Sequence, residues 1–240
     1  MLDRFKNILM SFIFGHSKDP QLTLFNLQKF VKDNNELLSS CYSEAKAKNI
    51  SELFKKTIQS LEGDIAECGV YRAGGTIILA SMLKELNSKK HIYGFDSFEG
   101  MPEPNEEDKM KNGNIRYTKG ILSGTSLQYV EKKIRHFKVE KYITFVKGFF
   151  ENTLDKTITK EHKFCFVIVD PDQYAGTKYC LEFFYDKVVK GGVVVIDDYY
   201  LADEDKLDTP GVKKATDEFL LNKIEKPIHL ADSMYYFVKE

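Results

Sequence analysis

Four aspartates at the ends of two apolar runs have the chemistry to bind a divalent cation. Phe164–Val169 is followed by Asp170-Pro171-Asp172, and Gly192–Ile196 is followed by Asp197-Asp198. If the two runs are adjacent parallel strands, their carboxyl ends lie at the same sheet edge and the four carboxylates share one cleft. Such a cluster needs a cation or protons to neutralise it, and oxygen donors without histidine or thiolate favour magnesium or calcium. The alternative is that some of these aspartates cap helices, as Asp172 could.

A glycine-rich turn after an earlier apolar run is suited to an adenosine-containing cofactor. Gly69, Gly74 and Gly75 surround this turn, where glycine lets the backbone approach a ligand closely. Their spacing matches neither the dinucleotide fingerprint GxGxxG nor a phosphate loop. Asp96, about 20 residues after Gly75, ends the next apolar run and can accept both hydroxyls of a ribose. The segment Lys147–Phe150 ends a third run and adds an aromatic wall against adenine.

Short apolar runs alternate with helical patterns from residue 64 onward and position these residues. The sequence predicts strands over Asp64–Cys68, His91–Phe95, Tyr142–Val146, Phe164–Val169, Gly192–Ile196, Pro227–Leu230 and Met234–Val238. It predicts helices over Thr76–Leu86, Ser126–His136, Gly176–Val189 and Gly211–Leu221, with a short helical turn at Asn152–Asp155. This alternation predicts an α/β fold with a doubly wound, mostly parallel seven-stranded sheet. Two long irregular stretches, about residues 98–120 and 199–210, follow strand ends and are predicted to be lids.

Residues 1–60 are predicted to form a helical N-terminal arm or lid, and residues 61–240 the ligand-binding domain. The apolar segment Ile8–Phe14 is far shorter than the roughly 20 residues that a transmembrane helix needs. Asp3 interrupts what would be the start of a signal peptide. We therefore expect no transmembrane segment and an amphipathic arm that packs on this protein or on a second subunit, which favours a homodimer.

Composition excludes other classes of function. The formal net charge is −1, so the chain offers no basic face for nucleic acid. The four cysteines, Cys41, Cys68, Cys165 and Cys180, have no metal-ligand spacing and are expected to be reduced thiols of a cytoplasmic protein.

Five segments of the chain, in order, resemble motifs of the macrocin O-methyltransferase family. They are Glu67–Gly75, Gly94–Pro102, Val146–Leu154, Asp170–Tyr174 and Gly191–Tyr199. The resemblance extends from about residue 63 to residue 220 and leaves the first 50 residues unmatched. Members of this family methylate sugar hydroxyls of macrolides and related natural products. The resemblance implies a class I methyltransferase fold, Rossmann-like, and a small-molecule or glycan substrate with vicinal hydroxyls.

The resemblance also implies roles for individual residues. It assigns S-adenosylmethionine to Glu67, Gly69, Val70, Tyr71, Arg72, Gly74, Gly75, Thr76, Asp96, Ser97, Gly148, Phe149 and Phe150. It assigns Mg²⁺ to Asp170, Asp197 and Asp198, makes Asp170 the general base, and leaves Asp172 and Tyr174 as further candidates for substrate or metal contact. Pro171 and Gln173–Thr177 depart from the family's usual residues, which puts the identity of the acceptor in doubt.

Three other functions stay open from the sequence. A catechol-type O-methyltransferase would use the same fold, loop and aspartates on an aromatic diol. A glycosyltransferase would use Asp170-x-Asp172 as a metal-binding DxD motif, although the glycine loop followed by Asp96 argues against it. A non-catalytic adaptor would not need both the loop and the acidic cluster.

Overall fold

A computed structural model describes residues 27–38, 42–200 and 208–240. These residues form a seven-stranded sheet with the order β3-β2-β1-β4-β5-β7-β6. The first five strands of that order are parallel, and β7 runs antiparallel to both β5 and β6. The strands are β1 Asp64–Cys68, β2 Ile92–Asp96, β3 Ile143–Lys147, β4 Phe164–Val169, β5 Val188–Ile196, β6 Ile228–Ala231 and β7 Met234–Val238. The predicted α/β fold is confirmed.

Seven α-helices flank this sheet within the described ranges. They are α1 Leu27–Leu38, α2 Glu44–Ser60, α3 Gly74–Glu85, α4 Leu127–His136, α5 Phe150–Thr157, α6 Tyr174–Tyr185 and α7 Pro210–Leu220. The helix predicted over Gly176–Val189 was wrong at its C-terminal end. The helix ends at Tyr185, and Val188 belongs to β5, where it pairs with Phe164 of β4. The backbone N–H and C=O groups at this point are hydrogen-bonded in the parallel sheet instead of in a longer helix.

The sheet separates two apolar cores. All six residues of β4 are buried, and successive side chains of a strand point to opposite faces. Ile168 packs in a cluster with residues of α1, α2, α3 and α4. Its neighbours Val167 and Val169 pack in a second cluster with residues of α5, α6 and α7. Covering both faces explains why the strands are continuously apolar instead of alternating.

The helix α2 packs directly on the sheet. Its buried stripe includes Ile50 and Phe54, and the Phe54 ring meets Phe166 of β4 edge-on at 5.1 Å between centroids. Ser43 begins the helix, since its hydroxyl accepts a hydrogen bond from the backbone N–H of Lys46. The helices α1 and α2 therefore share a core with α3.

Other expectations concern residues that are partly outside the described ranges. Cys68, Cys165 and Cys180 are buried and unpaired, as predicted, whereas Cys41 lies outside the described residues. The apolar segment Ile8–Phe14 of the predicted arm and residues 201–207 of the second predicted lid also lie outside them. Within the described residues, no helix is both long and apolar enough to cross a membrane.

Candidate functional site

One cavity of about 450 Å³ opens at the carboxyl ends of the parallel strands. That is where ligands bind in open α/β sheets. Sixteen of the predicted site residues line this cavity: Glu67, Gly69, Val70, Tyr71, Arg72, Gly74, Gly75, Asp96, Ser97, Gly148, Phe149, Phe150, Asp170, Asp172, Asp197 and Asp198. The two groups recognised in the sequence, the glycine loop and the acidic cluster, therefore share one space.

The glycine loop is in backbone contact with the end of β4. Gly69 has φ +94°, and a Cβ atom there would lie 2.0 Å from the carbonyl oxygen of Asp170. Only glycine fits at residue 69, because a side chain would collide with Asp170 and because the positive φ is strained for any other residue. Ala73, also left-handed at φ 59°, precedes α3. The chain thus turns tightly out of β1 and into α3 against Asp170.

Asp96 organises the same loop. Its Oδ2 accepts hydrogen bonds from the backbone N–H groups of Val70 and Tyr71 at 2.9 and 2.8 Å, and its Oδ1 accepts one from Phe98 at 2.7 Å. A carboxylate has about four acceptor positions, so capacity for one hydroxyl remains on Oδ1. This loop-ordering role was missed in the sequence, where Asp96 was predicted to accept ribose hydroxyls.

Glu67 is a buried acid on the cavity wall. Only 3% of the residue is exposed, and its Oε2 accepts a hydrogen bond from the Thr76 hydroxyl at 2.5 Å. Burial raises the pKa of Glu67 to about 7, and the negative charge of Asp96 contributes to a lesser degree. The hydrogen bond from Thr76 lowers this pKa but does not cancel the effect of burial. Thr76 does not line the cavity itself but supports Glu67 from behind.

The four aspartates of the cluster lie in a partly buried place, with Asp197 buried and the other three half-buried. Burial, followed by the charges of Asp197, Asp172 and Asp198, raises the pKa of Asp170 well above its ordinary range. Burial and the charges of Asp198 and Asp197 raise the pKa of Asp172 to about 8. Asp172 and Asp198 also adopt left-handed backbone conformations, with φ 61° and 52°. Residues other than glycine adopt such conformations rarely, and they concentrate at functional sites.

A lysine from α2 reaches into this cluster. The Lys46 Nζ lies 2.5 Å from Asp197 Oδ1 and 3.4 Å from Asp198 Oδ1, and the side chain is 11% exposed. Burial alone would lower the pKa of Lys46, but the charges of Asp197 and Asp198 outweigh it and raise that pKa. In the described parts of the chain, no three acidic, histidine or cysteine side chains converge as a group that could hold a metal ion.

The sequence prediction missed Lys46 because it treated residues 1–60 as an arm without site residues. The available signal was its position: Lys46 lies on the stripe of α2 that also carries Ala47, Ile50 and Phe54. A lysine on the buried face of an amphipathic helix needs a charged partner.

The loop between β2 and α4 covers the cavity and is attached to the start of α6. Gln173, 3% exposed, donates its side-chain amide to the carbonyls of Tyr117 at 2.8 Å and Pro102 at 3.3 Å. Asp108 accepts the backbone N–H of Tyr174 at 2.7 Å. The helix cap therefore comes from the loop, and the alternative that Asp172 caps α6 was wrong.

Tyr174 lies elsewhere than predicted. Its hydroxyl donates to Glu218 of α7 at 2.7 Å, and Tyr174 does not line the cavity. Residues of the covering loop line it instead, among them Arg116 and Tyr117, which the sequence did not single out. Arg116 also forms an ion pair with Asp208 at 2.9 Å, which joins the loop to the segment after β5.

Comparison with known proteins identifies the family. The family described as "Macrocin-O-methyltransferase (TylF)" matches residues 26–239, nearly the whole chain. The chain belongs to the macrocin O-methyltransferase family. A solved structure with the same fold is that of CalS11, a calicheamicin methyltransferase, which has a TM-score of 0.68 at 18% identity and covers 98% of this chain and 91% of that one.

Two curated relatives of this family member are named as O-methyltransferases. The 8-demethyl-8-(2,3-dimethoxy-alpha-L-rhamnosyl)-tetracenomycin-C 4'-O-methyltransferase of Streptomyces olivaceus is 29% identical over 140 residues, which are 57% of this chain and 53% of that protein. The mycinamicin III 3''-O-methyltransferase of Micromonospora griseorubida is 27% identical over 142 residues, 57% of this chain and 55% of that protein. The chain thus matches only about half the length of these relatives.

Proposed function

We propose that this chain is an S-adenosylmethionine-dependent O-methyltransferase that methylates a sugar hydroxyl of a small molecule or glycan with vicinal hydroxyls, assisted by Mg²⁺. The observation that carries the proposal is that the glycine loop, Asp96 and the four aspartates all line one cavity. Family membership supports methyl transfer. The rhamnosyl group in the name of the Streptomyces olivaceus relative supports a sugar as acceptor.

The donor half of the cavity suits a cationic nucleoside. Glu67 is buried with a single hydroxyl donor, so a positively charged group beside it would stabilise its carboxylate. Asp96 retains acceptor capacity for a ribose hydroxyl, and Phe149 adds an aromatic surface. S-adenosylmethionine carries a sulfonium and an ammonium group and supplies an activated methyl group.

The acidic half suits a hard divalent cation. Asp170, Asp197 and Asp198 offer carboxylate oxygens at the ends of neighbouring parallel strands, and their mutual repulsion calls for positive charge. Because these side chains do not converge as a metal-binding group in the described arrangement, they would have to turn towards one another to hold Mg²⁺, which would then stabilise the deprotonated form of an acceptor hydroxyl. Lys46 already contacts two of the three carboxylates.

Asp170 is the general base in this proposal. Its carboxylate lines the cavity between the glycine loop and the rest of the acidic cluster, which suits removal of a proton from an acceptor hydroxyl bound there. Its backbone contact with Gly69 fixes it relative to the donor loop. The residues of the covering loop, held by Gln173, would exclude water and align the acceptor with the methyl group.

Methyl transfer is tested with radiolabelled S-adenosylmethionine, purified protein and a panel of glycosides, nucleotide sugars and catechols, with Mg²⁺ or with chelator. We expect label in a glycoside or sugar only. Label in catechols alone would point to the aromatic-diol alternative. Absence of cofactor binding by calorimetry across the millimolar range would refute methyl transfer altogether.

The remaining features are predictions from the sequence. They are the cytoplasmic location, the homodimer, the absence of nucleic-acid binding, and the N-terminal arm at residues 1–60 as a lid over the domain at residues 61–240.

A further inference from the structure

Lys133 is a buried cation behind the glycine loop. Only 6% of the residue is exposed, and it lies on the buried face of α4 together with Val130 and Ile134. Its ammonium group donates to the carbonyl of Leu38 at 2.9 Å and to the carbonyl of Arg72. A lysine is almost never buried unless its charge has partners. Here the partners are backbone carbonyls of two segments that are distant in the chain.

Arg72 lies in a strained part of the glycine loop. Tyr71 before it and Ala73 after it have left-handed backbones, with φ 47° and 59°. Such conformations persist only where the surrounding contacts hold them. Asp96 accepts two N–H groups at the start of this turn, and Lys133 donates to the carbonyl of Arg72. Side chains of opposite charge therefore hold opposite polar groups of the same turn.

We propose that Lys133 is a positioning residue for S-adenosylmethionine: its ammonium group holds the Arg72 carbonyl, and with it the turn into α3, in the conformation that binds the cofactor. The proposal rests on the donor half of the proposed function. Tyr71 and Arg72 line the cavity and Lys133 does not, so the lysine acts through the loop and not on the cofactor itself. Because Leu38 is the last residue of α1, the same ammonium group also joins that helix to the loop.

The charge of Lys133 suits both carbonyls. A carbonyl at the C-terminus of a helix, such as that of Leu38, lacks an intrahelical partner and carries part of the negative end of the helix dipole. Burial, and after it the positive charge of Arg72, lower the pKa of Lys133 to about 8, so the amine is mostly protonated at pH 7. An apolar side chain at residue 133 would remove the donor from both carbonyls at once.

The test compares variants of the full chain at pH 7. Lys133→Met removes the ammonium group and keeps an unbranched stem for the core. By calorimetry it should bind S-adenosylmethionine ~10-fold or more weakly than the wild type, the size expected when hydrogen bonds from a charged group are lost. In the protein without ligand, the amides of Gly69–Gly75 should exchange hydrogen ~10-fold faster, because the turn opens more often.

Val130→Ala is the matched control on the same buried face of α4. It destabilises the helix packing but removes no hydrogen bond, so cofactor affinity and loop exchange should stay within about 2-fold of the wild type. In turnover, Lys133→Met should raise the KM for S-adenosylmethionine and leave kcat at saturating cofactor within about 3-fold of the wild type. A lysine that only stabilised the fold would change neither KM nor loop exchange in the folded protein.

A second variant keeps the proposal testable if Lys133→Met does not fold. Lys133→Gln keeps a polar group but loses the charge, and it should bind S-adenosylmethionine at least about 3-fold more weakly than the wild type. Wild-type cofactor affinity in either folded variant would overturn the proposal, as would an equal loss of affinity in Val130→Ala. Faster loop exchange in Lys133→Met, in a protein whose wild type binds no S-adenosylmethionine, would contradict the proposed function and not the contact between lysine and loop.

Discussion

The carboxyl group of Glu67 should make the protein less stable as pH rises. Its pKa is about 7 in the folded chain against an ordinary value of 4.5, chiefly because it is buried. Between these two values the folded state binds more protons than the unfolded state, so the free energy of unfolding falls as pH rises through this window. The gap between the two pKa values corresponds to about 3 kcal/mol.

Glu67→Gln removes the ionisation and keeps the shape and the acceptor for the Thr76 hydroxyl. Without ligand at pH 8, the variant should therefore be more stable than the wild type by up to ~3 kcal/mol, whereas near pH 5 the two should differ by less than ~1 kcal/mol. Urea unfolding at pH 5, 6, 7 and 8 measures this difference, and contributions of other titrating groups cancel between the two proteins.

The matched control is Glu62→Gln, because Glu62 is exposed and lies just before β1. Its stability difference from the wild type should not vary with pH. A pH-independent difference for Glu67→Gln over the same range would refute the reasoning from burial. The stabilised variant should bind S-adenosylmethionine more weakly at pH 8, since the carboxylate that destabilises the free protein is the one that would face the cationic cofactor.

Three further predictions concern Asp170, Gln173 and Gly211. Asp170→Asn should lower turnover by ~10²-fold or more, with cofactor affinity by calorimetry nearly unchanged, because the base is lost but the loop is kept; normal turnover would exclude Asp170 as the base. Gln173→Ala should raise the KM for the acceptor and leave cofactor affinity unchanged, since two carbonyls of the covering loop lose their donor; an unchanged KM would contradict this. Gly211→Ala should lower the melting temperature, because its Cβ would lie 1.9 Å from Asp108 Oδ1; a melting temperature equal to that of the wild type would mean that Asp108 moves freely.

The strands were predictable because burial on both faces leaves a simple pattern in the sequence. Phe164–Val169 is apolar throughout and is bounded by Lys163 and Asp170, so both its type and its bounds followed from the residues alone. Polar residues at strand ends were equally informative, because parallel strands bring these ends together. Asp170 and Asp197 were for that reason placed correctly in one cavity.

Contacts between distant elements were not predictable in this way. The position of Lys46 on the buried stripe of α2 indicates that it needs a charged partner, but that partner, Asp197, is far away in the chain and could not be identified from the sequence. Asp108 was one acid among several in an irregular stretch, and only the folded loop places it at the first N–H of α6. Tyr174 was assigned by its neighbours in the sequence, but the helical turn that begins there directs its hydroxyl towards Glu218.

The close approach of Gly69 to the Asp170 carbonyl makes one part of the cavity far less tolerant of substitution than the other. On the side of the glycine loop, backbone touches backbone, so almost any side chain at residue 69 would move Asp170 and the loop together. On the acceptor side, the covering loop is attached by side chains such as Gln173, which substitution can exchange one at a time. New acceptor specificities are therefore best sought by randomising Pro102–Tyr117 with Gln173, while the segment Glu67–Gly75 is held constant.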